Sequence, residues 1–384
     1  MKKVFLKVFA VCVCLCMMVP LFAACGNNKN TDKFVIGMSG PLTGAAAVYG
    51  TAVKNSAQMA VDEINAAGGL NGVQFELIAT DDQHDATKVA DNYANLMSQG
   101  MQVSLGCVTT KPGLEFSKLS LEDNVFFITP SASGDDIPAE ANGYQMCFAD
   151  GNQGAAAAKY VNESGMKSIG IFFKSDDPYS KGIYDQFKAA LNADITTVDA
   201  SFTDAAATDF SAQITMLKDC EFVFMPIYYE PASLFMAQAK DTLPKNATYY
   251  GCDGFDGLES EFDVTSVPQE ITMLSHFNSK ATEGKAAEFV KKYTEKYGAD
   301  TLNQFGASAY DCVYAIFGAM KAAVDAGIEI PVDISASDLC EILKGQFNGG
   351  YTFSGATGEN VKWQSNGYVD KAAIKFVIKA ADAE

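Results

Sequence analysis

The sequence predicts an α/β protein with two lobes, each formed by a doubly wound parallel sheet. Short apolar strands alternate with helices along most of the chain, which is typical of parallel sheets covered by helices on both faces. This alternation runs twice, in two series of similar length that meet after Asp150. The chain has 384 residues, whereas one hydrophobic core usually stops growing at ~250–300 residues. Together these observations predict two lobes.

The first series begins with the strand KFVIGMSG at 33–40. A helix over 46–69 follows, and the glycine pair at its end is a typical helix stop. The later segments alternate strand and helix in the same way, and they lie at 73–82, 86–100, 102–109, 113–122 and 125–130.

The second series has the same alternation without repeating the sequence of the first. It begins with a helix, and its segments lie at 155–161, 168–174, 181–191, 196–202, 210–218, 221–229, 232–240 and 248–254. The tail differs from both series. Helices are predicted at 282–298, 304–326 and 336–344, and the strand-like segments FSG, VKW and AIKFVIKA follow.

The N-terminus has the features of an export signal. Three lysines precede an apolar run over 8–24, which contains Pro20 and stops at Cys25. A basic start, a short apolar stretch and small residues before the cut are typical of a cleaved signal. A membrane-spanning helix needs about 20 apolar residues, so this run is too short to span.

The segment LFAAC resembles a lipoprotein signal, in which the cysteine after the cut is lipidated. We therefore predict a lipoprotein signal peptide over 1–24, lipidation at Cys25 and a polar tether over 25–33. Two acyl chains on one cysteine are enough for stable anchoring. The expected location is extracytoplasmic, at the outer face of the cell membrane and held by lipid alone. A secretory signal with an incidental cysteine is the alternative.

The charged residues exclude two kinds of partner chemistry. The net charge is −19, and nucleic acids are bound by basic surfaces, so no nucleic-acid partner is expected. The sequence contains no arginine. A bound carboxylate must therefore be held by hydroxyls, backbone N–H groups or lysine rather than by a guanidinium fork.

Metal and enzyme motifs are missing from the sequence. No cysteine pair forms C-x-x-C, and only His84 and His276 could assist a metal, so neither a metal site nor a cofactor is predicted. The segment GMSGPLTG (37–44) matches neither a dinucleotide fingerprint, a P-loop nor a nucleophile elbow. The acids of DDQHD (81–85) are interpreted as a solvated loop, with cation binding as the alternative. We predict that the protein is not an enzyme.

The candidate site lies where the predicted strands end. In doubly wound sheets, ligands bind outside the carboxyl ends of the strands, often between domains. Five such ends are rich in glycine, hydroxyl, aromatic or acidic residues: SGPLTG (39–44), GCVTTKPG (106–113), TPSASG (129–134), PIYYEP (226–231) and GCDGFDG (251–257). Hydroxyls gather in the first series, whereas tyrosine and aspartate gather in the second.

An ordered set of motifs carries a family resemblance. SGPLTG, AVDEINAAGGLNG, ELIATDDQHDATKV, ITPSAS, DPYSKG, ATDFSAQITMLK, YYEP, GCDGFDG and YDCVYA occur in this order from about Phe34 to the tail. The set resembles the leucine/isoleucine/valine-binding branch of the type I periplasmic binding proteins. The resemblance implies two lobes joined by a three-strand hinge. It also implies that lobe 1 comprises 34–149 and 278–350, and lobe 2 comprises 150–277 and 351–384.

The resemblance implies a ligand site at seven positions. In the first lobe, hydroxyl and backbone groups of Thr110, Ser131 and Ser133 would meet the ligand carboxylate and ammonium. Across the cleft, Tyr228 and Asp253 would contact the ammonium end, and the aromatic rings of Tyr49 and Tyr179 would line the cleft. A zwitterion removed from water needs both charges paired, and these groups can do so without arginine. Turn capping by the serines and core packing of Tyr49 are the structural alternatives.

The expected function follows from the resemblance. A monomeric binding protein would capture an amino acid, leucine, isoleucine or valine first of all, and deliver it to the permease and ATPase subunits of an ABC importer. The same scaffold could hold another amino acid, an amide or urea, or it could act as a ligand sensor. An enzyme of doubly wound fold is the third alternative, and turnover of a bound ligand would reveal it.

Overall fold

The computed structural model describes residues 32–138 and 142–381 of the chain. The predicted signal peptide, Cys25 and most of the predicted tether lie outside the described residues. Within the described ranges, no helix is both long enough and apolar enough to cross a membrane.

The first sheet has five parallel strands in the order β2-β1-β3-β4-β5. Their bounds are Lys33–Gly40 (β1), Gln74–Asp81 (β2), Val103–Ser104 (β3), Phe127–Thr129 (β4) and Gly143–Gln145 (β5). The third and fourth strands are shorter than the sequence predicts, since they stop before Gly106, whose φ is +64°, and before Pro130. Strand β5 was not predicted. Three helices follow strands of this sheet: Ala47–Ala66 (α1), Val89–Ser98 (α2) and Thr110–Glu122 (α3).

The second sheet has six strands in the order β13-β10-β9-β8-β6-β7. Its strands are Ser168–Lys174 (β6), Thr196–Phe202 (β7), Phe222–Met225 (β8), Thr248–Gly251 (β9), Glu270–Ser275 (β10) and Ile374–Lys379 (β13). All pairings are parallel except that of β13 with β10. The sequence analysis did not predict β10. The helices of this lobe are Asp150–Ser164 (α4), Pro178–Ala190 (α5), Ser211–Leu217 (α6), Tyr229–Ala239 (α7) and Leu258–Glu261 (α8).

Three later helices return to the first lobe, as the resemblance implies. They are Gly284–Tyr297 (α9), Gln304–Asp325 (α10) and Ala336–Asn348 (α11). Helix α10 lies along α1, and α11 contacts β3. The approach of α10 to α1 is close, because a Cβ atom at Gly306 would lie 2.8 Å from Ser56 Oγ and 3.2 Å from Ala52 O. This packing buries the outer face of the first sheet.

A two-stranded hairpin, Phe353–Gly355 (β11) and Gly358–Val361 (β12), also belongs to the first lobe by its contacts. Trp363 Nε1 donates a hydrogen bond to Gln145 O at 2.7 Å, and the backbone N–H of Gln145 donates to Gly367 O at 2.9 Å. The sequence analysis assigned all of 351–384 to lobe 2. These contacts correct that assignment: the hairpin belongs to lobe 1. Within 351–384, β13 is the strand that joins the second sheet.

Three chain segments therefore connect the lobes. They leave β5 at 146–149, leave β10 at 276–283, and enter β13 at 370–373. The largest buried apolar cluster contains residues of both sheets, such as Ile36 and Val103 from the first and Phe172 and Val223 from the second. The fold is the predicted pair of parallel-sheet α/β lobes, and the carboxyl ends of both sheets meet at the boundary between them.

Candidate ligand-binding site between the lobes

The first-lobe side of the site is the turn after β4 packed against the start of α3. A Cβ atom at Gly113 would lie 2.9 Å from Ala132 Cβ, and one at Gly134 would lie 2.7 Å from Thr110 Cγ2. Glycine at these positions lets the TPSASG turn approach the first turn of the helix. The predicted residues Thr110, Ser131 and Ser133 are thereby brought together, and all three are buried.

Thr110 presents a polar group that the described residues do not satisfy. Thr110 Oγ1 is buried and has no hydrogen-bond partner among the described residues. Thr110 is also the first residue of α3, where backbone N–H groups lack partners within the helix. A hydroxyl beside a helix N-terminus is suited to hold an anionic group such as a carboxylate.

The second-lobe side is built around Asp253, which follows β9. Tyr179 Oη donates to Asp253 Oδ1 at 2.6 Å and accepts a hydrogen bond from the backbone N–H of Gly254 at 2.9 Å. The Tyr228 ring stacks on the Tyr179 ring with centroids 4.3 Å apart. The structure thus brings the predicted residues Tyr179, Tyr228 and Asp253 into one contact group.

Two atoms of this group point to a ligand. Asp253 Oδ2 and Tyr228 Oη are buried, and neither has a hydrogen-bond partner in the described part of the chain. Burial raises the pKa of the Asp253 carboxyl to about 7, although the Tyr179 hydrogen bond opposes this rise. A cation placed beside Oδ2 would favour the charged form of the carboxyl.

Contacts across the cleft hold the two halves together. Tyr49, on α1, donates from its hydroxyl to Gly254 O at 2.6 Å, and its ring lies 5.9 Å from that of Tyr228. The His84 ring meets Tyr228 edge-on with centroids 5.2 Å apart. Helix α3 also contacts helix α5 of the other lobe. Tyr49 therefore joins the lobes through its hydroxyl, and its predicted role in lining the cleft stays a prediction.

Asp150 is a further buried carboxyl near Asp253 that was not among the residues predicted from the sequence. This residue begins α4, its backbone N–H donates to Ser133 O at 2.9 Å, and it is 2% exposed. Neither carboxyl oxygen accepts a hydrogen bond of ordinary geometry from the residues described, although the nearby Ser133 hydroxyl lowers the pKa of this carboxyl and so opposes the effect of burial. Burial raises the pKa of Asp150 well above its usual value, and the nearby Asp253 carboxyl raises it further. The one signal in the sequence was the position of this acid at the predicted boundary between the two series. Its place near Asp253 depends on the fold.

The sequence suggested only metal or cation binding for His84, and the fold places it beside the cleft. Its Nδ1 lies 2.8 Å from Thr109 Oγ1, next to the start of α3. Burial lowers the pKa of His84 to about 4, and Lys174 and Lys111 add to this effect, so the ring is neutral at pH 7. His84 thus contributes an uncharged aromatic wall at the lobe boundary.

The loop DDQHD differs from the expected solvated acids. Asp82 is buried, and its Oδ2 accepts a hydrogen bond from Ser39 Oγ at 2.9 Å. Burial raises the pKa of Asp82 to about 6. Asp81 accepts from the backbone N–H of Leu42 at 2.9 Å, so it ties the loop after β1 to the end of β2. These acids organise the loops around the site.

Metal and thiol chemistry find no support in the described ranges. There, no group of three or more His, Cys, Asp or Glu side chains could hold a metal ion. The cysteines at 107, 147, 220, 252, 312 and 340 are all buried and free.

The arrangement as a whole suits one small zwitterion. Two buried carboxyls, Asp150 and Asp253, would both carry charge only with a cation between them, since like charges in a desolvated site raise each other's pKa. Across from Asp253 stand a hydroxyl and the N-terminus of α3, which favour an anion. The geometry therefore offers one place for an ammonium group and one for a carboxylate.

Comparison with known proteins decides the family. A family model described as periplasmic binding protein matches residues 33–366, which is most of the chain. The chain is a periplasmic binding protein. Members of this family act outside the cytoplasm, and the family is named for ligand binding rather than for catalysis.

Among curated relatives, this periplasmic binding protein is similar to a protein of Rhizobium johnstonii named Leu/Ile/Val-binding protein BraC3. The two are 34% identical over 229 residues, which cover 58% of this chain and 62% of the relative. The chain thus spans less than two thirds of the length of the curated relatives it matches first.

Solved structures agree over more of the chain. A branched-chain amino acid transporter substrate binding protein of Streptococcus pneumoniae, determined in complex with isoleucine, is 27% identical with a TM-score of 0.77. The match covers 90% of this chain and 98% of that one. A leucine binding protein of Thermotoga maritima has a TM-score of 0.79 at 22% identity, covering 91% and 96% of the two chains, and this likeness shows the fold. The predicted family and fold class are confirmed.

Proposed function

We propose that this protein captures an α-amino acid between its two lobes and delivers it to an ABC importer. The observation that carries the proposal is the set of buried, unpartnered polar atoms at the lobe boundary. Asp253 Oδ2 and both carboxyl oxygens of Asp150 are buried, and the two carboxyls are near enough to interact electrostatically, whereas Thr110 Oγ1 adjoins the anion-favouring start of α3. An amino acid's ammonium and carboxylate would satisfy both sides at once.

Each predicted residue receives a role in this proposal. Asp253, held by Tyr179, pairs with the ammonium group, and Asp150 shares that charge. Thr110, Ser131 and Ser133 bind the carboxylate through hydroxyl and backbone groups, and they also offer acceptors to the ammonium. Tyr228 contacts the side chain of the ligand. The Tyr49 hydroxyl bridges the lobes when they close.

The relatives support an amino acid as the class of ligand. The Rhizobium johnstonii relative is named for leucine, isoleucine and valine, and the Streptococcus pneumoniae structure contains isoleucine. A relative of Pseudomonas aeruginosa carries threonine and alanine in its name as well. For this chain we propose a monomeric receptor, anchored at the outer face of the membrane through Cys25, whose partners are permease and ATPase subunits. We propose no catalytic activity.

A ligand screen tests the proposal. The purified protein would be unfolded, dialysed and refolded to remove carried ligand, then melted in the presence of each of the twenty amino acids, small amides and urea. An amino acid that binds the native state raises the melting temperature further as its concentration increases. Stabilisation by amides or urea and by no amino acid would contradict the proposed roles of Asp253 and Asp150.

A further inference from the structure

A cavity of about 310 Å³ lies between the lobes beside the proposed head-group site. Its first-lobe wall includes Ala45, Ala46 and His84, and its second-lobe wall includes Phe202, Ile227 and Leu234. None of these residues was among the predicted ligand contacts. The cavity therefore raises the question of what it accommodates.

The cavity begins at a residue that also belongs to the head-group site. Tyr228 lines it, stacks on the Tyr179 ring that orients Asp253, and keeps its own hydroxyl buried without a partner in the described ranges. Asp177 and Ser180, which flank Tyr179 at the start of α5, line it as well. Tyr228 and Tyr179 thus connect the cavity to Asp253, the carboxyl proposed to receive the ammonium group.

The size of the cavity exceeds what a branched-chain amino acid fills. An apolar cavity of ~150 Å³ is enough to hold benzene, and the cavity here is about twice that volume. The side chains of valine, leucine and isoleucine have fewer carbon atoms than benzene. They would leave much of the wall without contacts, and unfilled volume forfeits dispersion energy.

The chemistry of the wall changes along its length. Near Tyr228 the wall combines the apolar or aromatic side chains of Ala46, Phe202, Ile227 and Leu234 with the buried polar residues Asp177 and Ser180. At the rim lie charged groups, namely Glu230 and the ion pair of Lys174 with Asp204. Such a wall fits a bulky apolar body with a polar tip better than it fits a short aliphatic chain.

We infer that this cavity is the side-chain subsite, and that the ligand is an α-amino acid with a side chain of aromatic size rather than leucine, isoleucine or valine. This inference rests on the proposed amino-acid function. The small side chains of Ala45 and Ala46 leave room for a large ligand side chain, and the rings of His84 and Tyr228 form flat walls. The charged rim would receive the polar end of that side chain.

Titration calorimetry on the refolded, ligand-free protein tests the subsite. Phenylalanine, tyrosine and tryptophan should bind at least about tenfold more tightly than valine and leucine, since one methylene in an apolar pocket already changes discrimination by that order. Two variants fill the cavity from opposite walls, Ala46→Leu from the first lobe and Leu234→Trp from the second. Either one should weaken the aromatic ligands by tenfold or more and change leucine binding much less. Ala190→Leu, at an exposed position near the end of α5, is the matched control.

The possible results distinguish failure of the proposed side-chain subsite from failure of the proposed amino-acid function. If leucine or valine binds as tightly as the aromatic amino acids and both filling variants leave the preference unchanged, the subsite is overturned and the amino-acid function stands. If no amino acid binds the refolded protein, the proposed function fails and the subsite fails with it. Loss of the aromatic preference in a filling variant that still binds leucine supports the subsite.

Discussion

At the scale of single residues, the candidate site is defined by carboxyl groups that the protein buries without a positively charged partner. Asp150 and Asp253 are each at most 2% exposed, and three of their four oxygens lack a hydrogen-bond partner in the described part of the chain. Burying an unpaired charge is unfavourable unless a counter-charge arrives. The arrangement therefore favours a cationic ligand group and makes the site sensitive to changes that remove one carboxyl.

Asp253→Asn should weaken binding of the amino-acid ligand strongly. Removing one partner of a buried, hydrogen-bonded charge pair costs ~2–5 kcal/mol, which corresponds to roughly 30- to several-thousand-fold in the dissociation constant. Calorimetry measures the loss. Asp241→Asn is the matched control, because Asp241 is an exposed acid in the same lobe, and it should change affinity less than about twofold. Equal, small effects of both changes would remove Asp253 from the site.

The same substitution should change the pH dependence of stability in the ligand-free protein. Burial raises the pKa of Asp253 from 3.8 to about 7, so the folded state holds this proton more tightly than the unfolded chain. The resulting stabilisation is complete below about pH 4 and is lost as the pH rises through 7. Asparagine has no such proton. The free energy of unfolding of Asp253→Asn, relative to the parent, should therefore increase between pH 4 and 8 by a few kcal/mol, about 1.4 per unit of pKa shift.

Urea unfolding of both proteins across this pH range measures the difference. Groups that do not interact with residue 253 titrate alike in both proteins, whereas Asp150 loses the neighbouring carboxyl that raises its pKa, so the subtraction reports residue 253 together with its coupling to Asp150. Parallel pH profiles would show that the carboxyl is already paired within the protein and is not reserved for a ligand.

At the scale of elements, the site depends on close approach between the ends of strands and the starts of helices. A Cβ atom at Gly254 would lie 2.6 Å from Tyr179 Oη and 2.6 Å from Ile227 O. Both contacts are shorter than a real Cβ tolerates, so any side chain there would displace Tyr179 from Asp253. Glycine at this turn is thus a requirement of the ligand site as well as of the loop.

Gly254→Ala should therefore lower ligand affinity, by tenfold or more, through loss of the Tyr179 hydrogen bond that orients Asp253. Gly345→Ala is the control, since Gly345 lies in helix α11 with no atom within 4 Å of a built Cβ. That change should leave affinity unchanged and raise stability by up to ~1 kcal/mol, because alanine is the better helix former. Calorimetry and thermal melting give both readings. Unchanged affinity in Gly254→Ala would mean that Tyr179 does not position the carboxyl.

The N-terminal segment carries the anchoring prediction. Cys25→Ser should move the protein from the detergent phase of a membrane extract to the aqueous phase or leave it unprocessed, because the lipid acceptor is gone. Ligand affinity should not change. Cys16→Ser, within the apolar run, should leave anchoring intact. Continued partition of Cys25→Ser into the detergent phase would show that Cys25 is not the anchor.

At the scale of the whole molecule, the site is complete only when the lobes meet. Thr110, Ser131 and Ser133 belong to the first lobe, whereas Tyr228 and Asp253 belong to the second. The hydrogen bond from Tyr49 Oη to Gly254 O and the contact of the His84 ring with Tyr228 both cross the boundary between the lobes. A ligand that touches both sets binds the closed form better than an open one, so it shifts the population toward closure.

X-ray scattering should accordingly show a smaller radius of gyration when the ligand identified by the screen is added. Asp253→Asn at the same ligand concentration should show little change, because its binding is weakened. If a tight ligand leaves the scattering of the parent protein unchanged, closure does not accompany binding. Tyr228→Ala then shows whether the ligand is in the cleft at all, since only a cleft-bound ligand loses affinity.

The local pattern of the sequence determined most of the elements. Alternating apolar strands and helices predicted the strand Ser168–Lys174 with its bounds unchanged, and glycine or proline set the ends of others. Motif likeness selected the seven candidate positions, and the structure brings the hydroxyl group and the tyrosine–aspartate group to the two sides of one cleft. These features are local, because residue type and spacing along the chain carry them.

What only the tertiary structure decided depends on partners distant in sequence. Strands Gly143–Gln145 and Glu270–Ser275 form because neighbouring strands pair with them, and the hairpin at 353–361 lies on the first lobe through contacts such as Trp363 with Gln145. Asp150 lies at the lobe boundary because it directly follows the crossover at 146–149. His84 lies there because its ring packs against Tyr228 of the other lobe. The burial and the pKa of a residue depend on groups that are distant in sequence and close in space. A local sequence pattern therefore does not predict these roles.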